Sequence, residues 1–166
     1  MAAMPHIDLL ELPYFTGIDI GDLVSLIDAM KPRQFAAGEC LIVEGAAEYP
    51  PLYIITKGLI DITQLNPEAP KGPPCLLAQH EGPTLIGEVE LFLARSPIST
   101  VRAITQVSTF VLERDVFAAL REQKHPALLP FLFHVAQVAC DRLVHSDQMI
   151  VRALGGHDEP ALAPRP

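Results

Sequence analysis

Short apolar segments separated by glycine constrain the fold of this chain more than any other feature. The segments span residues 34–36, 40–44, 52–56, 59–64 and 75–79, and they are rich in apolar and β-branched side chains. Short strands with turn residues at this spacing predict an antiparallel barrel or jelly roll. Two further strands are expected over 99–105 and 107–113, and Lys57-Gly58 is expected to form a tight hairpin. The punctuating glycines are Gly38, Gly45, Gly58, Gly72 and Gly82.

Helical periodicity appears on both sides of these strands. Apolar residues in 7–30 recur at helical spacing with breaks at Pro13 and Gly17, which predicts two short helices, the second capped near Asp19 or Asp22. A short amphipathic helix is expected around 116–120, and a long one from about Ala127 to Leu154. We expect the tail, 155–166, to be disordered.

The long helix carries an apolar stripe that a domain of this size would not cover by itself. Such a helix commonly packs against its symmetry mate, so we expect a homodimer through this helix. His134, Asp141 and His145 share a second face, which suits either a metal or protonation-sensitive site or a solvated polar stripe. The stripe consists of Leu128, Leu132, Val135, Ala139, Leu143, Met149 and Ala153.

Charge and composition exclude several classes of function. With 12 Lys and Arg against 20 Asp and Glu, the net charge of -8 repels polyanions, so we expect no direct nucleic-acid binding and no membrane partner. The N-terminus has acidic residues where a signal peptide would be apolar, which predicts a cytoplasmic protein. The three cysteines form no CxxC pair and are expected to be reduced, partly buried thiols.

The segment 87–103, GEVELFLARSPISTVRA, has the character of an anion-binding turn. Glycine allows close approach of the backbone, and the free N–H groups of a following helical turn attract anions. An ordinary loop is the alternative interpretation, since a Gly-Glu pair before a short helix is a weak signal. We find no catalytic motif in the chain and expect neither enzyme activity nor a metal.

The chain contains the motifs LLELPYFTGI, KPRQFAAGECLIVEGA, LYIITKGLIDI, the 87–103 cassette with its TVRA exit, and VLERDVFAAL. Together these motifs resemble the cyclic nucleotide-binding domain family, which includes the cAMP receptor protein and the regulatory subunits of cAMP-dependent kinase. The resemblance implies a mainly β fold, a jelly roll flanked by helices. Its expected parts are a helical lead-in at 1–32, the jelly roll at 33–114 with its cassette at 85–103, and C-terminal helices at 115–154.

The resemblance also implies a ligand site, with cAMP or cGMP as candidate ligands. The family's backbone-approach glycine and ribose-binding glutamate correspond to Gly87 and Glu88. The family's phosphate-binding arginine corresponds to Pro97, and an acidic residue, Glu90, replaces a small one. Arg142 lies where the family's long helix closes over the base like a lid. Other candidate ligand-binding residues are Arg95, Ser99, Thr100 and Arg102.

Three functions are compatible with these residues. The first is a non-catalytic regulatory module with weakened or lost cyclic nucleotide binding, acting through dimerisation and a separate protein partner. The second is a genuine sensor of cAMP, cGMP or another anionic small molecule that uses a displaced arginine, Arg95 or Arg102. The third is a structural domain of a larger assembly. Only ten residues follow Gly156, so we expect no helix-turn-helix output domain.

Overall fold

Two four-stranded antiparallel sheets form the centre of the protein, in a computed structural model that describes residues 12–155. One sheet has the order β1-β8-β3-β6 and the other β2-β7-β4-β5, which confirms the predicted jelly roll. The strands are β1 (Lys31–Phe35), β2 (Cys40–Ile42), β3 (Leu52–Lys57), β4 (Leu59–Gln64), β5 (Cys75–Glu81), β6 (Thr84–Ile86), β7 (Thr100–Ala103) and β8 (Val107–Leu112).

Helices flank the sheets at both ends of the described chain. A 3-10 turn at Pro13–Phe15 precedes α1 (Ile20–Asp28), and a single short helix, α2 (Glu88–Leu93), follows β6. The chain closes with α3 (Arg114–Glu122) and the 27-residue α4 (Leu128–Leu154). The Asp19 carboxylate accepts a hydrogen bond of 2.9 Å from the N–H of Gly21, so the predicted N-cap of α1 is confirmed.

Strand β3 belongs to two cores at once, because successive side chains of a strand point to opposite faces. Tyr53 and Ile55 lie in the core between the sheets, with Ile60, Val101 and Val107. Alternate residues of β3 face the second core, between the first sheet and the helices. That core includes Leu52, Ile54, Leu85, Phe110, Leu26, Leu120, Leu128, Phe131 and Val135.

Lys57-Gly58 does not form the hairpin that we expected. The chain leaves one sheet at the end of β3 and enters the other as β4, so the two strands do not pair. Gly58 has φ +108°, and a Cβ there would lie 2.5 Å from the carbonyl oxygen of Gln106. Residue 58 must therefore be a glycine, because the chain passes close to the link between β7 and β8 at this point.

The predicted apolar stripe of α4 is also wrong in its first half. Leu128 and Val135 are buried in the protein's own core, where Phe15 stacks on Phe131 with ring centroids 5.5 Å apart. The exposed apolar side chains of α4 include Leu129, Phe133, Leu143, Ile150 and Leu154, which follow a different register. The half-buried Ala136 and the exposed Cys140 lie in the same register, and Val144, Met149 and Val151 are also more than half exposed.

Of the three free cysteines, Cys40 is half-buried, whereas Cys75 and Cys140 are exposed, so only one thiol is partly buried as predicted.

Two predicted segments lie outside the described residues. They are most of the first predicted helix, within residues 1–11, and nearly all of the predicted disordered tail, within residues 156–166. None of the helices in the described part combines the length and hydropathy that a bilayer span requires.

Candidate functional site

The cassette begins at a glycine that no other residue could replace without strain. Gly87 has φ +88° and precedes α2, and a Cβ on it would lie 2.4 Å from the carbonyl oxygen of Pro51. Positive φ and this close approach both exclude a side chain. Gly87 therefore fixes the turn from β6 into α2, and so places the two acidic residues of the first helical turn.

Glu88 is buried and is bound by an arginine from α4. Its carboxylate accepts a hydrogen bond of 2.5 Å from the guanidinium of Arg142, and the two side chains are 5% and 26% exposed. The same guanidinium donates to the hydroxyl of Thr84 at 3.0 Å and to the carbonyl oxygen of Leu85 at 2.6 Å. Residue Arg142, expected to form part of a lid, thus contacts the cassette directly.

A second buried carboxyl group, that of Glu90, lies in the same first turn of α2. Burial raises the pKa of Glu90, and the nearby charge of Glu88 raises it further. Hydrogen bonding from the main-chain N–H groups of Glu90 and Ile98, with the charge of Arg95, opposes the rise. The first turn of α2 thus adds a second buried carboxyl group to the cassette.

Pro97 is buried at the position where the resemblance implied an arginine. Its carbonyl oxygen accepts a hydrogen bond of 2.8 Å from the N–H of Gly45, which ties the cassette to the loop after β2. Arg95, two residues earlier, is exposed. The cassette therefore combines two buried carboxyl groups with two arginines from other elements, Arg142 at Glu88 and Arg114, whose guanidinium donates to the main-chain carbonyl oxygen of Glu90 at 3.1 Å.

The remaining predicted site residues lie on β7 or just before it. Val101 and Ala103 face the core between the sheets, so Thr100 and Arg102 occupy the opposite face of the strand. The Thr100 hydroxyl accepts a hydrogen bond of 3.0 Å from the N–H of Glu44. The Arg102 guanidinium donates to the carbonyl oxygen of Gly38 at 2.7 Å. Arg102 is thus engaged at the sheet surface, and Ser99 is half-buried at the cassette exit.

Sequence reasoning missed the polar cluster around Arg142. Half-buried His80 on β5 has its pKa lowered by burial and by the positive charge of Arg142. Burial raises the pKa of Tyr14, whose hydroxyl donates to the carbonyl oxygen of Pro83 at 3.1 Å. No local pattern links these residues to the cassette, because each comes from a different element.

His134 and Asp141, two of the three polar residues predicted to share a face of α4, border a groove beside the 3-10 turn. The groove has a volume of about 550 Å³, and Tyr14, Phe133 and Cys140 also line it. His134 contacts the carbonyl oxygen of Thr16 at 2.9 Å. In residues 12–155 no group of three or more His, Cys, Asp or Glu side chains is arranged to hold a metal ion.

The match to a family model agrees with this architecture. The model of the cyclic nucleotide-binding domain matches residues 32–124, more than half of the chain. The chain belongs to the cyclic nucleotide-binding domain family. The matched residues contain nearly all of the jelly roll, the Gly-Glu cassette and α3, which are thus parts of a regulatory domain. No curated protein matches the chain by sequence.

Solved structures share the fold of this cyclic nucleotide-binding domain. One such domain from Methylobacillus flagellatus is 18% identical, with a TM-score of 0.74, and the match covers 89% of this chain and 79% of that one. The Thermus thermophilus catabolite activator protein is 19% identical, with a TM-score of 0.69, covering 84% and 62%. The regulatory subunit of a cAMP-independent protein kinase A from Trypanosoma brucei is 25% identical, with a TM-score of 0.59, covering 74% and 47%. The chain thus spans less than two thirds of the last two proteins.

Proposed function

We propose that this protein is a non-catalytic regulatory module whose cyclic nucleotide binding is weakened or lost, and which acts through dimerisation and contact with a separate partner protein. Pro97 carries the proposal, since it replaces the arginine that the family resemblance places against the cyclic phosphate. Losing one partner of a buried charge pair removes about 2 to 5 kcal/mol. Affinity for a cyclic nucleotide would fall by roughly tens to thousands fold.

Glu90 supports the same conclusion independently. A cyclic phosphate entering the cassette would approach the buried carboxyl group of Glu90. Two anions close together repel each other in a site of low dielectric constant. Pro97 removes a cation from the site and Glu90 adds an acidic group, so both substitutions weaken the binding of a phosphate. The Trypanosoma brucei relative, the regulatory subunit of a kinase described as cAMP-independent, supports the same direction.

The exposed stripe of α4 supports self-association. The positions Leu129, Phe133, Ala136, Cys140, Leu143, Asp147, Ile150 and Leu154 follow alternating steps of four and three residues. This is the spacing of a coiled-coil seam, and all but Asp147 are apolar or small. A second copy of α4 would cover these side chains. We also propose a separate partner protein, because a non-catalytic module forms no product and would act through contact with another protein.

Isothermal titration calorimetry with cAMP and with cGMP tests the proposal directly. We expect dissociation constants in the high-micromolar to millimolar range, or no measurable heat. A low-micromolar constant for either nucleotide would contradict the proposal and favour the sensor alternative. In that case Arg95→Ala would abolish binding if the displaced arginine were Arg95, whereas Arg121→Ala, at an exposed arginine on α3, serves as a control.

A further inference from the structure

His125 joins three helices at the point where the long helix begins. Its main-chain N–H donates to the carbonyl oxygen of Leu120 on α3 at 2.9 Å, and its own carbonyl oxygen accepts from the N–H of Leu128, the first residue of α4, at 3.0 Å. Its imidazole contacts the hydroxyl of Ser25 on α1 at 3.1 Å through Nε2. The N–H of Ala127 donates to Nδ1 of the same ring at 3.3 Å. One half-buried residue thus binds α1, α3 and the start of α4.

The backbone on both sides of His125 has little freedom. Pro126 follows it, and a residue before proline avoids the helical conformation, so α3 does not continue into α4. Lys124 precedes it with φ +53°, in the left-handed region that residues with a side chain rarely adopt. The imidazole therefore projects from a junction whose backbone is restricted.

The two ring contacts define the charge state that this junction requires. A ring nitrogen accepts a hydrogen bond only when it carries no proton, so Nδ1 is unprotonated when it accepts from the N–H of Ala127. The proton of the neutral imidazole is then on Nε2, which donates to the hydroxyl oxygen of Ser25. A second proton would add to Nδ1, where it would face the N–H of Ala127 instead of accepting from it.

We infer that His125 is a protonation-sensitive switch at the start of α4: the neutral imidazole holds the first turn of the helix, and the imidazolium releases it. Two effects act together in the protonated state. The N–H of Ala127 loses its acceptor, and a positive charge lies at the positive end of the dipole of a 27-residue helix. Histidine changes charge between about pH 5 and 8, so the first turn is held at neutral pH and loosened in mildly acidic solution.

Charged side chains of the neighbouring elements act on the imidazole in both directions. Residues three positions apart share a helix face, so two carboxylates of α1 lie on the face of Ser25 and favour the imidazolium. The first turn of α4 has no acidic side chain. Salt screens the exposed charges more than it weakens the contact at Nδ1. The charged groups are Asp22 and Asp28 on α1, Arg121 and Glu122 on α3, and Lys124 in the link to α4.

The switch does not depend on the proposed loss of nucleotide binding, because none of its residues belongs to the cassette. Only its consequence for self-association rests on the proposed function. The exposed face that we propose as the dimer seam begins at Leu129, one residue after the start of α4. A loosened first turn would therefore weaken the pairing of Leu129 with a second copy.

Thermal unfolding at different pH values tests the switch. His125→Asn is the decisive variant, because an asparagine side chain accepts from the N–H two residues later in an Asx turn and does not titrate. We expect the melting temperature of the unmodified protein to fall relative to that of His125→Asn by about 2 to 4 °C between about pH 7.5 and 5.5, the effect of losing one helix cap. Groups common to both proteins, such as Glu90, cancel in this difference.

His145→Asn is the matched control, because His145 is an exposed histidine of the same helix. This variant should follow the unmodified protein at both pH values. A difference between the unmodified protein and His125→Asn that stays constant with pH would overturn the switch. A difference of the opposite sign would also overturn it, because the carboxylates of α1 would then dominate.

Hydrogen exchange at the amide of Ala127, measured by NMR, locates the effect. After correction for the intrinsic rate at each pH, exchange in the unmodified protein should accelerate roughly tenfold on the same acidification. His125→Ala lacks the acceptor and should exchange rapidly at both pH values. This comparison keeps the test valid if His125→Asn does not fold, and exchange at Ala127 that is independent of pH in the unmodified protein would contradict the switch.

The two proposals fail separately. Low-micromolar binding of cAMP or cGMP contradicts the loss of nucleotide binding, whereas a start of α4 that does not respond to pH contradicts the role of His125.

Discussion

The carbonyl oxygen of Pro97 accepts a 2.8 Å hydrogen bond from the N–H of Gly45, so the residue at the expected arginine position is held by a main-chain contact between the cassette and the loop after β2. A substitution at 97 therefore changes the side chain at a position whose backbone is already fixed. This makes the position suitable for restoring the missing guanidinium.

Combining Pro97→Arg with Glu90→Ala should restore cyclic nucleotide binding. The double variant is expected to bind cAMP roughly tens to hundreds of times more tightly than the unmodified protein, because it gains a charged pair and loses a repulsive carboxylate. Pro97→Arg alone should gain much less, since the new guanidinium would pair with Glu90. Calorimetry measures both. Ser96→Arg with Glu90→Ala is the control, and an equal gain there would mean that net charge alone matters.

The buried carboxyl of Glu90 should make stability depend on pH. Burial raises its pKa above the ordinary value of 4.5, so the folded state holds the proton more tightly than the unfolded state. Its contribution is then fully present below pH 4.5 and is lost as the pH rises through the raised pKa. Glu90→Gln should melt at a higher temperature than the unmodified protein at pH 7, with the two values converging near pH 4.

Exposed Glu68, in the loop between β4 and β5, provides the control for this measurement. Glu68→Gln should leave the dependence of the melting temperature on pH unchanged. If Glu90→Gln and the unmodified protein differed by the same amount at pH 4 and at pH 7, the burial of a charged Glu90 would not be the cause.

Cys140 should report how two copies of α4 pair. It occupies a seam position, so a parallel, in-register pair would place the two Cys140 thiols opposite each other. Mild oxidation with oxidised glutathione should then yield a disulfide-linked dimer that Cys140→Ser abolishes and Cys75→Ser does not. Non-reducing electrophoresis measures the outcome. Absence of the Cys140 cross-link, with a dimer still shown by light scattering, would contradict a parallel, in-register pair.

Charge on the seam should disrupt the same dimer. Ile150→Glu would introduce a second carboxylate near Asp147 and its symmetry mate, and like charges at a seam disfavour pairing. We expect light scattering to show a monomer. Leu76→Glu, at an exposed apolar residue of β5, should stay dimeric, so that dissociation by both variants would point to a different interface.

Alanine substitutions at Gly87 and Gly38 distinguish the effect of backbone strain from the effect of steric crowding. Both have positive φ, +88° and +91°, but a Cβ would contact Pro51 at position 87 and nothing within 4 Å at position 38. Gly38→Ala should lower the free energy of unfolding by about 1 kcal/mol, the usual effect of the left-handed conformation. Gly87→Ala should lower it further. Urea denaturation measures the free energy of unfolding of both variants. Equal losses would mean that the loop containing Pro51 shifts to accommodate the Cβ at residue 87.

Local sequence patterns predict most of the helices and strands. They fail where contacts between residues far apart in the sequence decide which strands pair. Strands β3 and β4 were found because each is a short apolar run bounded by turn residues. Whether Gly58 joins paired strands or connects two sheets depends on contacts with Gln106, almost fifty residues later, which no local pattern contains. The strand β6 was not predicted, because its three residues lead directly into the cassette.

The candidate site shows the same limit. Gly87 and Glu88 could be placed by motif, and Pro97 by counting from the strand that follows. The pairing of Arg142 with Glu88 joins residues 54 positions apart, and only the packing of α4 brings them together. The stripe of α4 was assigned to the wrong face because Leu128, Leu129, Leu132 and Phe133 make both faces apolar, and periodicity cannot decide which of them meets the core.

The exposed end of α4 extends beyond the part of the helix that packs on the core. The twelve residues from 143 to 154 extend about 18 Å at 1.5 Å per residue. A change of about 10° in the direction of the helix would displace Leu154 by roughly 3 Å, about the separation of two hydrogen-bonded atoms. Small changes of angle at the core would therefore be enlarged at the tip of the helix.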